Sequence, residues 1–169
     1  LEKGVGDLTC IFSGNSRPDA VPGVYDVSRL VENGQVRKLI SPLPFYPGLG
    51  GVIEQRLAAG ELEIEVIPQG VLAERLRAGG VGLGGIFLSA GIGTRFEQGK
   101  ETRIIDGRKC LLEMPLKADF ALLKASTADT LGNLVYSGTE RNWGPVMNMA
   151  GAISIVEAGN ICEPGQIDP

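Results

Sequence analysis

The side chains best placed to do chemistry lie in the segment Val66–Arg77, VIPQGVLAERLR. An apolar run ends at Pro68, and Gln69-Gly70 form a turn from which a helix starts. Such a turn presents unpaired backbone N–H groups and the positive end of a helix dipole at the carboxyl end of the strand. Gln69 adds a side-chain amide donor. The combination suits a carboxylate, a phosphate or a developing oxyanion, where one preorganised donor is worth about 3 kcal/mol of barrier. From spacing alone the structural role leads, with Gln69 capping the helix and Gly70 relieving strain. Asn15, just past the apolar run Leu8–Phe12, is a second amide at a strand end, and also a residue type that tolerates left-handed turns. Two such amides on neighbouring strands could converge on one site. Glu74, Arg75 and Arg77 share the helix that follows Gln69 and read as a solvated or interface salt-bridge set; either arginine could instead grip a phosphate. Arg141-Asn142-Trp143-Gly144-Pro145 reads as a helix cap with an aromatic anchor, or as a contact between protomers through Trp143.

Composition narrows the chemistry. The 169 residues include no histidine, which removes histidine-based hydrolysis, histidine-ligated zinc and histidine proton shuttles. Cys10, Cys110 and Cys162 are too far apart for a metal spacing and too few for a disulfide framework, which fits a reducing, cytoplasmic setting. Cys10, in LTCIF, reads as a small core residue. Sixteen basic against twenty acidic residues give a net charge of −4, which argues against nucleic acid as partner. No uninterrupted apolar stretch is long enough to span a bilayer, so no membrane is expected.

Glycine is unusually frequent, at 25 residues. Gly79–Gly85, GGVGLGG, resembles a dinucleotide fingerprint in composition only, because it follows a helix and opens a strand. Gly93–Lys100 has the wrong spacing for a phosphate-binding loop, with Glu101 where Ser or Thr belongs.

The elements that must position these residues alternate between short apolar runs and helical patterns. Strands are expected over Leu8–Phe12, Val36–Ile40, Leu62–Ile67 and Gly85–Ser89. Helices are expected after Asp26 up to the Asn33-Gly34 stop, over Gly51–Ala59 with Val52, Ile53 and Leu57 inward, and over Gly70–Ala78 capped by Gly79. Residues 101–113 form a hairpin about Asp106-Gly107. Phe120–Ala125, Leu134–Tyr136 and Ile153–Ala158 complete the strands, with a helix over Pro145–Ala150. The expected fold is α/β: one domain with an open, mainly parallel sheet, helices on both faces and a strand-rich flap. In such sheets ligands bind beyond the carboxyl ends of the strands.

IPQGVLAERLRAGGVGLGGIF, followed in order by GIGT, GKETRIIDGRKCLLEMPLKADFALLKA, ADTLGNLVY, ERNWGPVM and EPGQIDP, and preceded by VENGQVRKLI, resembles the A-type subunit of the family I CoA-transferases of the 3-oxoacid and 3-oxoadipate type. The likeness runs from about Leu8 to Pro169. It implies pairing with a B-type subunit, two of each type in the assembly, to move CoA from an acyl-CoA such as succinyl-CoA to a free carboxylate. CoA is then a substrate, and no bound cofactor or metal is implied. The attacking glutamate of this family sits in a Ser-Glu-Asn-Gly motif of the B-type subunit, so this chain holds no nucleophile. Glu32-Asn33-Gly34 imitates that motif, but Val31 precedes it and a helix end surrounds it, so Glu32 reads as structural.

The resemblance carries the amide of the Pro-Gln-Gly motif onto Gln69, beside Gly70, and the second asparagine of a Ser-Asn-Asn-Ala segment onto Asn15. Both are implied to orient substrate or the glutamate. The sequence departs from the pattern at Gly14, in segments 17–24 and 41–48, and in lacking an amino-terminal Gly-Gly-Phe-Gly loop and a final strand, as truncation or disorder of those parts would produce. Rival readings of the same fold are a sugar-phosphate isomerase-like enzyme using the Gln69-Gly70 turn as a phosphate nest, and a non-catalytic interaction subunit.

Overall fold

Strand β1 (Leu8–Ile11) pairs in parallel with β2 (Val36–Ser41), and β2 in parallel with β3 (Glu63–Val66). In this computed structural model residues 4–14 and 26–168 are described. They fall into two compact units, Leu1–Gln69 and Gly70–Pro169.

In the first unit each β–β connection carries a helix. Helix α1 (Val27–Glu32) starts where Asp26 accepts a hydrogen bond from the Ser28 N–H at 2.9 Å, and it ends at Asn33 with Gly34 at φ 69°. Both ends are as the sequence predicts, because the cap residues act through local geometry. Helix α2 (Val52–Ala58) is followed by Gly60 at φ 74°. Val31, Val36, Leu39, Ile53 and Leu62 make the core of this unit, with Phe12, Phe45 and Val52 packed against it. Leu57, expected inward, is exposed. Helix α2 offers only a narrow stripe to the core, and Ile53 and Val52 fill it.

The second unit contains most of helix α3 (Gln69–Val81). The sequence predicts a stop at Gly79. Instead α3 runs through Gly79 and Gly80 and ends before Gly82, at φ 77°. The two helical glycines serve close packing: a Cβ at Gly79 would stand 2.8 Å from the Leu116 carbonyl carbon, and one at Gly80 would stand 2.7 Å from the Met149 carbonyl oxygen. Strand β4 (Ile86–Leu88) pairs antiparallel with β6 (Arg108–Glu113), which pairs antiparallel with β5 (Thr102–Ile105). The β5–β6 turn is the expected two-residue one, with Asp106 and Gly107 both at positive φ, 51° and 74°.

Between β4 and β5, Thr94 caps a short 3-10 turn (Arg95–Glu97) and Lys100 lies over the Phe96 ring at 3.0 Å. Lys100 also pairs with the buried Glu113 at 2.6 Å. Strand β7 (Ala118–Asp129) pairs with the short β8 (Leu134–Val135), antiparallel, and with β9 (Gly151–Cys162), parallel. Both β7 and β9 are twice the predicted six residues, at twelve each. The extra length comes from mutual pairing out to Asp129↔Cys162, which local apolar runs do not encode.

Helix α4 (Glu140–Ala150) packs on β7 and β9 and starts five residues earlier than Pro145 suggested. Its opening turn bonds in the i→i−3 pattern, with Arg141 N–H donating to Gly138 O and Asn142 N–H to Thr139 O. Trp143 and Gly144 therefore lie within the helix, and Gly144 is needed because a Cβ there would stand 2.7 Å from a Tyr136 ring carbon. The protein is thus α/β, with parallel pairing in β1–β2–β3 and β7–β9 and an antiparallel β4–β6–β5 region.

Candidate functional site

Three chain segments leave the carboxyl edge of the β1–β2–β3 sheet side by side. The Phe12 N–H donates to Ile40 O at 3.1 Å, and the Ile67 N–H donates to Ser41 O at 3.3 Å. Ser41 is also the register partner of Val66. These bonds bring the chain out at one edge after residues 12, 41 and 67, because parallel pairing forces every strand to end on the same side.

Gln69 is the first residue of α3, is exposed, and has no hydrogen-bond partner for its side-chain amide among the described residues. It therefore forms no capping bond. Gly70 sits at ordinary negative φ, and a Cβ built there meets nothing within 4 Å. Neither strain nor crowding calls for glycine, so the space above this peptide is open. The first turn of α3 carries no acidic residue to neutralise its N–H groups. Asn15 lies outside the described residues; the strand before it, β1, and the strand before Gln69, β3, end on the same edge but are not the neighbours the sequence suggested, because β2 lies between them.

The helix charges are engaged with the protein itself. Arg75 Nε donates to Met114 O at 2.8 Å, and its own carbonyl accepts from Leu116 N–H at 2.9 Å. Arg77 pairs with Glu74 at 3.3 Å on an exposed face. Glu32 is the exposed last residue of α1 and pairs with Arg29 at 2.9 Å. Cys10, Cys110 and Cys162 are free thiols, and burial pushes the Cys10 thiol above its usual range.

Sequence reasoning marked segment 41–48 as a departure from the family pattern but gave no role to the loop Pro42–Gly50 that it belongs to. Pro44 is buried and Phe45 packs on the core, while Leu43, Tyr46 and Leu49 face outward. Glu54 holds the far end, accepting the Gly48 and Gly50 N–H groups at 2.8 Å each, and those two bonds draw its carboxyl below the usual range. A visible signal existed: residues 41–50 contain no charge, although they connect a strand to a surface helix.

A family model described as "Coenzyme A transferase" matches residues 1–169. The chain belongs to that family. It is 42 % identical over 168 residues to the A-type subunit of a probable succinyl-CoA:3-ketoacid coenzyme A transferase of Bacillus subtilis, covering 99 % of this chain and 67 % of that protein. It is 45 % identical over 169 residues to the A-type subunit of the 3-oxoadipate CoA-transferase of Pseudomonas putida, covering 100 % of this chain and 71 % of the relative. Among solved structures, an acyl-CoA transferase of Escherichia coli O157:H7 in a thioester complex with CoA superposes with a TM-score of 0.74 at 19 % identity. That match covers 97 % of this chain and 35 % of the other, and shows a shared fold. The two relatives are named as A-type subunits of enzymes, and among the described residues no helix is long and apolar enough to cross a membrane.

Proposed function

We propose that this chain is the A-type subunit of an acyl-CoA:carboxylate CoA-transferase, working in the cytoplasm with a B-type partner, two of each type in the assembly. One observation carries the reading. The Gln69 amide has no bond of its own, at a sheet edge where Gly70 leaves the backbone open, in a chain whose near relatives bear the names of CoA-transferase A-type subunits. The substrates are an acyl-CoA and a short carboxylic acid, in the class of the 3-oxoacids and fatty acids.

The chemistry asks little of this chain beyond positioning. A glutamate of the B-type partner attacks the thioester carbonyl; its C–O bond forms, the C–S bond breaks, and CoA leaves as thiolate. The thiolate then attacks the glutamyl carbonyl of the resulting anhydride and releases the first carboxylate. The acceptor carboxylate reverses both steps. No proton is abstracted, in keeping with a chain that contains no histidine. Each tetrahedral intermediate places negative charge on a former carbonyl oxygen. Gln69 Nε2 and Asn15 are the donors assigned to that oxygen or to the glutamate. Gly70 gives the reacting group access to the backbone, and Arg75, Arg77 and Glu74 form a supporting surface.

The test is exchange of CoA between acetoacetyl-CoA or succinyl-CoA and a panel of short carboxylates by this chain mixed with its B-type partner. Borohydride or hydroxylamine should inactivate the acyl-CoA-loaded complex at one glutamate of that partner. A complex that exchanges no CoA with any acid in the panel defeats the proposal.

A further inference from the structure

We infer that the loop Pro42–Gly50 is the acyl-recognition segment of this site, and that it selects uncharged acyl chains over dicarboxylic ones; this rests on the CoA-transferase reading above. The loop starts from Ser41, whose carbonyl is bonded to the Ile67 N–H two residues before Gln69, so it leaves the same sheet edge as the donor that the reading assigns to the reacting carbonyl. Its outward side chains are apolar: Leu43 is 43 % exposed, Tyr46 45 % and Leu49 61 %. The segment is not loose packing turned outward. Pro44 and Phe45 hold it to the core, the Leu43 N–H donates to Ser41 Oγ at 3.3 Å, and Glu54 clamps Gly48 and Gly50.

A rigidly held loop that keeps large apolar side chains in water gains by giving them a ligand to cover. At this edge the group within reach of a carbonyl held by Gln69 is the carbon chain attached to that carbonyl. The ten residues 41–50 carry no cation, so a second carboxylate on an acyl group laid against them would lose its hydration without gaining a partner from this loop. The occupant is therefore a short, uncharged acyl chain.

Each methylene withdrawn from water is worth about 0.8 kcal/mol, or about fourfold in kcat/KM. The assay is kcat/KM of the complete two-subunit enzyme for acetyl-, butanoyl- and succinyl-CoA with one fixed acceptor acid. The wild-type complex should prefer butanoyl, two methylenes longer, to acetyl by about fifteenfold and to succinyl by at least as much. In the Leu43→Asn/Leu49→Asn variant the butanoyl preference should fall to within about threefold. In Leu49→Lys, which supplies the missing cation, the succinyl-to-butanoyl ratio should rise about tenfold. Size-exclusion chromatography and melting curves confirm that the variants fold and assemble, and Leu49→Ala repeats the test with no polar group introduced.

Unchanged ratios in variants that still transfer CoA would overturn this inference while leaving the enzyme reading intact. Variants that fold but no longer bind the B-type partner would overturn it too, since the loop would then be a contact between protomers. A wild-type complex with no transfer activity would remove the parent reading and this one together.

Discussion

Adding one methyl group at Gly79 should destabilise the second unit, even though alanine is the better helix former. In a helix interior alanine outscores glycine by about 1 kcal/mol, so propensity alone predicts a gain. The packing predicts the reverse. The new Cβ would stand 2.8 Å from the Leu116 carbonyl carbon and nearer still to its oxygen, whereas ordinary contact begins at 3.4 Å. Both sides of the clash are backbone, so no rotamer change relieves it. The helix must move away, and the Leu116 N–H bond to Arg75 O, now 2.9 Å, stretches with it. Overpacking of this kind costs about 3 kcal/mol, and a weakened hydrogen bond adds about 1 kcal/mol.

Set against the propensity gain, the expected loss is about 3 kcal/mol, or about 6–12 °C in melting temperature for a chain of this size. Urea and thermal unfolding of the purified chain measure it. Gly70→Ala in the same helix is the reference, since its Cβ meets nothing within 4 Å and should cost no stability. A Gly79→Ala protein that melts at or above wild type would refute the packing account of α3.

Other outcomes follow from the same geometry. Gln69→Ala should lower kcat about 10²–10³-fold without shifting the melting temperature, as expected for a lost oxyanion donor with no structural bond. Gly70→Ala should lower activity while leaving stability equal or higher, because its methyl group occupies only the open space; steady-state kinetics beside melting curves separate the two effects. Lys100→Met should destabilise by about 3 kcal/mol in urea titration by leaving the Glu113 carboxylate buried without its partner, and adding Glu113→Leu should recover most of that loss.

Glu54 gives a pH dependence. Its carboxyl is held below the ordinary glutamate value of 4.5 by the Gly48 and Gly50 N–H groups. Its hold on the loop is therefore complete above that value and is lost as pH falls through the lowered one. Hydrogen exchange at those two amides, corrected for intrinsic rates, should rise on acidification below pH 4.5 in wild type, and should be fast and insensitive to that titration in Glu54→Gln.

Features set by neighbours in sequence were legible from the residues. The Asp26 cap, the Asn33-Gly34 stop and the Asp106-Gly107 turn form as expected, because a cap or a two-residue turn is decided within a few bonds. Gln69 was legible as a strand-to-helix amide, though sequence left its capping role open; the structure shows the side chain without a capping bond. Where distant residues meet, local pattern misled. It ended α3 at a glycine that is helical because Leu116 crosses it, turned Leu57 inward where Ile53 had already filled the core, and halved β7 and β9, whose length is set by each other. The loop Pro42–Gly50 shows the division most plainly. Composition showed only that residues 41–50 carry no charge, whereas tertiary packing decided that Phe45 turns in, that Leu43, Tyr46 and Leu49 turn out, and that the loop leaves the same sheet edge as Gln69. The reason is physical: cap and turn energies depend on adjacent dihedrals, but which apolar side chains meet water depends on which surfaces the fold brings together.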